Sequence, residues 1–151
     1  MAAFALAASA VVPPSAVAQD ATKAPSFGSV RLSAGFTPDP HSVQVVAGGA
    51  IDAYSDTPLP GACVGKIADA PDYRVTYTAG SFPLVFRTVA REDTTLVING
   101  PDGQWSCDDD SHGDGDAEVT YRRPQSGVYD IWVGTYGSSP VTATLQITET
   151  P

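Results

Sequence analysis

The chain of 151 residues carries 17 acidic and 8 basic side chains, for a net charge of −9, and has the length of one domain. An acidic chain is repelled by phosphate backbones and anionic lipid surfaces, so neither nucleic acid nor a membrane is expected as a partner.

Residues 1–18 read as a signal peptide. The run from Met1 to Val12 is apolar and uncharged, and Ala16 and Ala18 form an A-x-A cleavage site before Gln19. The run is too short to span a bilayer as a helix, which takes about 20 apolar residues. Its n-region carries no Lys or Arg. No cysteine follows closely, which argues against a lipid anchor. The expected location is therefore periplasmic or secreted.

Residues 19–40 read as a flexible N-terminal tail. Pro25, Pro38 and Pro40 stand among small polar residues, which cannot bury enough surface to fold alone. Leu32 and Phe36 offer points at which the tail can dock.

Residues 41–151 read as a β-sandwich domain. Val43 and Val45 alternate with Ser42 and Gln44 until Gly48-Gly49 breaks the run. Val75 and Tyr77, Leu84 and Phe86, Leu96 and Ile98, and Val119 and Tyr121 continue the period of two. Tyr129, Ile131 and Val133 face one way, and Asp130, Trp132 and Gly134 the other. Val141, Ala143, Leu145 and Ile147 form the last apolar face. Side chains on a strand alternate between two faces, so each run offers one face to a core. The sum is all-β: about eight short antiparallel strands in a jelly-roll-like sandwich. The 14 glycines and 13 prolines fit many turns.

Cys63 and Cys107 are the only cysteines. In an exported chain two cysteines read as one disulfide. A two-thiol metal site is the rival, and neither cysteine lies in a C-x-x-C pair.

The stretch Asp93-Thr94-Thr95-Leu96-Val97-Ile98-Asn99-Gly100-Pro101-Asp102-Gly103, then Asp108-Asp109-Asp110, then Pro124-Gln125-Ser126-Gly127-Val128-Tyr129-Asp130-Ile131-Trp132-Val133 resembles the bacterial pre-peptidase C-terminal domain family. In that family an Asp-x-x-Leu strand leads into a D-P-D-G turn, an acidic loop follows, and Ser-Gly-x-Tyr opens a late strand. The resemblance implies a β-sandwich appended to secreted peptidases and often cleaved off after export. Some relatives bind collagen or other polymers, and some bind calcium. This chain has Asn99-Gly100 where the turn usually begins with Asp, adds the cysteine pair, and carries no peptidase domain in these residues.

The acidic loop holds Asp108, Asp109, Asp110, Asp114 and Asp116 with glycines between the last of them. Calcium takes six to eight oxygen ligands from carboxylates and carbonyls on a bending loop, so calcium is the candidate cofactor. The plainer reading is that these side chains cap turns and keep the loop soluble. Trp105, Trp132 and Tyr136 are the candidate binding platform, since exposed rings stack on sugars and polymers. The alternative for them is core packing.

No catalytic residues are assigned. His41 and His112 are the only histidines, and neither a G-x-S-x-G elbow nor an H-E-x-x-H motif occurs. The expected function is a non-catalytic accessory or binding module that recognises a protein or polysaccharide outside the cell. A structural or assembly subunit of an exported complex is the alternative, and a secreted hydrolase comes last.

Overall fold

The computed structural model describes residues 19–151. The signal-peptide reading of residues 1–18 lies outside the described residues.

The described chain is all-β, two sheets packed face to face. Eleven strands run in order: β1 (Ser29–Ser33), β2 (His41–Ala47), β3 (Ile51–Asp52), β4 (Lys66–Ile67), β5 (Tyr73–Thr78), β6 (Leu84–Val89), β7 (Thr94–Asn99), β8 (Trp105–Asp108), β9 (Glu118–Tyr121), β10 (Gly127–Thr135) and β11 (Val141–Thr148). One sheet is ordered β2-β11-β6-β9 and is antiparallel throughout. The other is built on β10, which pairs β7 on one side, and β7 in turn pairs β8. On its other side β10 pairs β5 through Gly127–Ile131, and at its far end Thr135 pairs Lys66 of β4.

The period of two explains the core. Tyr73, Val75 and Tyr77 of β5, Tyr129, Ile131 and Val133 of β10, and Ala143, Leu145 and Ile147 of β11 all turn into the space between the sheets. Phe86 lies against Tyr121 and Tyr129, with ring centroids 6.0 and 5.5 Å away.

The strand β10 is buried on both faces. A second cluster forms on its outer side, where Trp132 meets Ile51, Ala53, Cys63, Ile67 and Val97. The short strands β3 and β4 continue this sheet from Thr135 of β10, and with the loop between them they pack on Trp132. This cluster is also why β7 loses its alternation: Val97 packs in it, and Thr94 to Ile98 are buried without a break.

Two sequence expectations change. The segment 19–40, read as a flexible tail with docking points at Leu32 and Phe36, goes further and supplies β1, which pairs parallel with β5. Phe27, Val30, Leu32 and Phe36 pack on the main core. Arg74 fastens the segment further. Its guanidinium pairs with Asp130 at 2.6 Å and donates to the carbonyls of Ala21 and Lys23. The β1–β5 pair is also parallel, so the sandwich is not wholly antiparallel, and nine of its strands have four residues or more.

Candidate functional site

Cys63 and Cys107 form the disulfide, with Cα atoms 5.0 Å apart. It ties the β3–β4 loop to β8 and lies in the second cluster beside Trp132.

The acidic loop is held largely by its own amides. One carboxylate oxygen of Asp108 accepts from the backbone N–H of Ser111 and of Glu118, both at 2.9 Å, and the other accepts from the Ser111 hydroxyl at 2.5 Å. Asp116 is buried and accepts from the Ala90 N–H at 3.1 Å and the Thr94 hydroxyl at 3.3 Å. Burial raises its carboxyl above the usual range against these two bonds. Asp110 and Asp114 are exposed, and Asp109 is half-buried. Among the described residues, no three or more His, Cys, Asp or Glu side chains are grouped so as to hold one metal ion between them. Asp108 and Asp116 thus point to different partners rather than to one centre. His112 stands 3.4 Å from Glu118, while the Ser111 hydroxyl is turned to Asp108, so Ser111 and His112 do not pair.

The three expected platform residues separate. Trp132 is 0% exposed and is a core residue, because β3, β4 and the loop between them pack on it. Its indole N–H donates to the Asp69 carbonyl at 3.3 Å. Trp105 is half-buried and packs on Trp132 with centroids 5.5 Å apart. Neither tryptophan presents a free ring face with Tyr136. Tyr136 alone of the three is exposed, at 61%.

Tyr136 has a different companion. A cleft of about 270 Å³ is lined by Tyr136, Tyr54, Asp52, Lys66, Val64 and Gly65, and Tyr54 is 66% exposed. Of the described aromatic side chains only Phe82 is similarly exposed, so two of the three such rings line one small cleft.

Local structure fixes both rings at their roots. Ala53 is fully buried and donates to the Gly65 carbonyl at 2.9 Å. The Asp52 carboxylate accepts from the N–H of Tyr54 at 3.0 Å and of Ser55 at 3.1 Å, an Asx turn that aims the loop outward. Tyr136 donates its N–H to the Asp93 carbonyl at 3.2 Å, and the Thr135 hydroxyl donates to the Gly137 carbonyl at 3.0 Å.

Gly65 forms the floor. Its φ is +93°, and a Cβ there would stand 2.5 Å from the Thr95 hydroxyl, so another residue would be strained and would have to displace the Thr95 side chain. Across the cleft, Lys66 donates to Asp52 at 3.1 Å. The Ser55 amide, the Lys66 ammonium and the Tyr54 amide hold the Asp52 carboxyl below the usual range.

The cleft opens at one end of the sandwich. A second depression of about 300 Å³ is lined by Glu92, Asp93, Thr135, Gly137 and Ser138 among others, so the Tyr136–Pro140 loop borders both. Of the residues that line this cleft, the sequence singled out Tyr136 and not Tyr54, Asp52 or Lys66. A tyrosine among aspartate, serine and proline carries no local signal, and only the β4–β10 pairing brings these residues to Tyr136.

The fold and the site together define a β-sandwich with a small aromatic cleft at one loop end. No protein-family model matches the chain, and no curated protein matches it.

Proposed function

We propose that this protein is an exported, non-catalytic binding module that recognises a protein or polysaccharide through the loop end carrying Tyr54 and Tyr136. The observation that carries the reading is the pair of exposed tyrosines on one cleft with anchored backbones. Rings presented this way bind with little ordering cost, because few main-chain freedoms remain to be lost. Loops on a rigid sandwich are a usual place for recognition. The Cys63–Cys107 disulfide supports an oxidising compartment. Among the described residues no helix is long and apolar enough to cross a membrane.

In this reading the module resembles pre-peptidase C-terminal domains. The turn and the Ser-Gly-x-Tyr segment on which the resemblance rests meet in space: a Cβ on Gly127 would stand 2.7 Å from Pro101. The Tyr129 hydroxyl donates to the Gln125 carbonyl at 2.8 Å and accepts from its N–H at 3.1 Å, which closes the entry to β10.

The test is co-sedimentation with insoluble collagen, cellulose, xylan and chitin, with hydrolysis of the same polymers followed in parallel. Retention on at least one polymer without turnover is expected. Hydrolysis abolished by Ser111→Ala or His112→Ala would overturn the non-catalytic reading.

A further inference from the structure

The cleft between Tyr54 and Tyr136 has properties that select among ligands, and we infer that it is a binding site for one uncharged saccharide unit of a longer glycan. The inference rests on the binding-module reading and narrows it to a ligand class.

Size comes first. Ligand pockets for drug-sized molecules run from about 300 to 1,000 Å³. A cleft of about 270 Å³ falls just below that range and suits a single ring.

Charge comes second. Lys66 and Asp52 are paired with each other at 3.1 Å, and the other Asp52 oxygen already accepts the Tyr54 and Ser55 amides. The cleft therefore offers no unpaired full charge to a charged ligand. The net charge of −9 repels acidic glycans in addition.

Polarity comes third. The Lys66 ammonium has three donors and gives one to Asp52, and its side chain stays partly exposed. The remaining protons have no partner among the described residues, and hydroxyl oxygens can accept them. Each tyrosine hydroxyl both donates and accepts. A sugar ring matches this set: its C–H face stacks on an aromatic ring, and its hydroxyls exchange hydrogen bonds at the rim. The paired charges fix the hydroxyl contacts without demanding a counter-charge. A cationic peptide side chain over the rings is the rival occupant, and it would have to compete with Lys66 for Asp52.

The experiment is an NMR titration of the amide-labelled protein with cellohexaose, xylohexaose, maltohexaose and chitohexaose. Oligogalacturonate and a proline-rich collagen-type peptide serve as the charged-glycan and peptide arms. The expected result is saturable shifts at the amides of Tyr54, Gly65, Lys66 and Tyr136 with at least one neutral oligosaccharide. Tyr54→Ala and Tyr136→Ala should each weaken that binding about tenfold or more. Lys66→Met keeps the apolar stem and should weaken it severalfold. Unchanged melting temperatures would show that the tyrosine variants remain folded.

Shifts at these amides with the peptide and none with any neutral sugar would overturn the saccharide assignment and leave the binding module standing. Sugar binding that both tyrosine variants retain would overturn the cleft as the site. No binding in any arm, and none on the insoluble polymers, would overturn both readings.

Discussion

Asp72 should make the protein less stable at neutral and alkaline pH than at mildly acidic pH, and Asp72→Asn should relieve this. The side chain is 2% exposed, and one carboxylate oxygen accepts the Val133 N–H at 2.7 Å. It stands just before β5, in the gap along β10 between the β5 pairing at Ile131 and the β4 pairing at Thr135, so it caps a β10 amide that neither β4 nor β5 reaches. Burial pushes its carboxyl up to about 7, against the opposing Val133 bond. An unfolded aspartate ionises near 3.9. The folded form thus holds its proton more tightly than the unfolded form. Its contribution is fully present below about pH 4, is lost as pH rises to about 7, and stays lost above. Three pKa units correspond to about 4 kcal/mol. Part of this returns through local relaxation, so a gain of about 2–4 kcal/mol for Asp72→Asn at pH 8 is expected. An asparagine oxygen can still accept the Val133 N–H, and its amide replaces the acid proton. Urea denaturation of both proteins between about pH 4 and pH 8 gives the difference curve, which cancels all other titrating groups. A difference that is independent of pH, or that favours the wild type at pH 8, would refute the reasoning.

Other consequences can be measured in the same way. Reducing the Cys63–Cys107 bond, or Cys63→Ser, should cost about 4 kcal/mol, the chain-entropy value for a separation of 44 residues, read as a lowered urea midpoint. Thiol titration of denatured, unreduced protein should find none. Trp132→Ala should cost about 3–5 kcal/mol in the same assay, and acrylamide should quench Trp105 before Trp132. Asp108→Ala leaves the Ser111 and Glu118 amides without their acceptor and should cost about 1–3 kcal/mol. Equal losses in chelator and in millimolar calcium mark Asp108 as a cap, whereas a loss confined to calcium marks it as a metal ligand.

The strands that were legible in the sequence are those with several alternating residues. Val141 to Thr148 carries four inward and four outward positions, and its register against both neighbours follows from that face. The faces of β10 were also legible, but the fate of Trp132 was not. Alternation says that Trp132 points away from Tyr129 and Ile131, and it does not say what lies there. The cover comes from β3 and β4, two residues each, which have no periodicity to read. For β1 the alternation of Val30 and Leu32 was present, and flanking prolines hid it. The proline-rich flanks suggest a chain that cannot fold alone, which holds for a single parallel edge strand too. Its stability comes from β5, Tyr73 to Thr78, which is distant in sequence and whose Arg74 also bonds the Ala21 carbonyl.

The cysteine pair was legible by counting, but its purpose lies in what it holds. Of residues 53–65, which carry Tyr54 at one end and Gly65 at the other, only Ala53 and Cys63 are buried. Such a segment contributes little hydrophobic stabilisation of its own and should open at low cost. Cys63 is the residue just before Val64 and Gly65 of the cleft, and its partner lies on β8, on the far side of β7 from β10. The covalent bond therefore anchors the floor of the cleft to the sheet at the point where packing is thinnest. Tyr136, by contrast, follows the longest strand in the fold and needs no such anchor. The cleft joins one wall set by sheet geometry to one that the Asp52 turn and the Ala53–Gly65 bond orient and the disulfide ties down. Reduction should accordingly loosen the Tyr54 wall first and leave the Tyr136 wall in place.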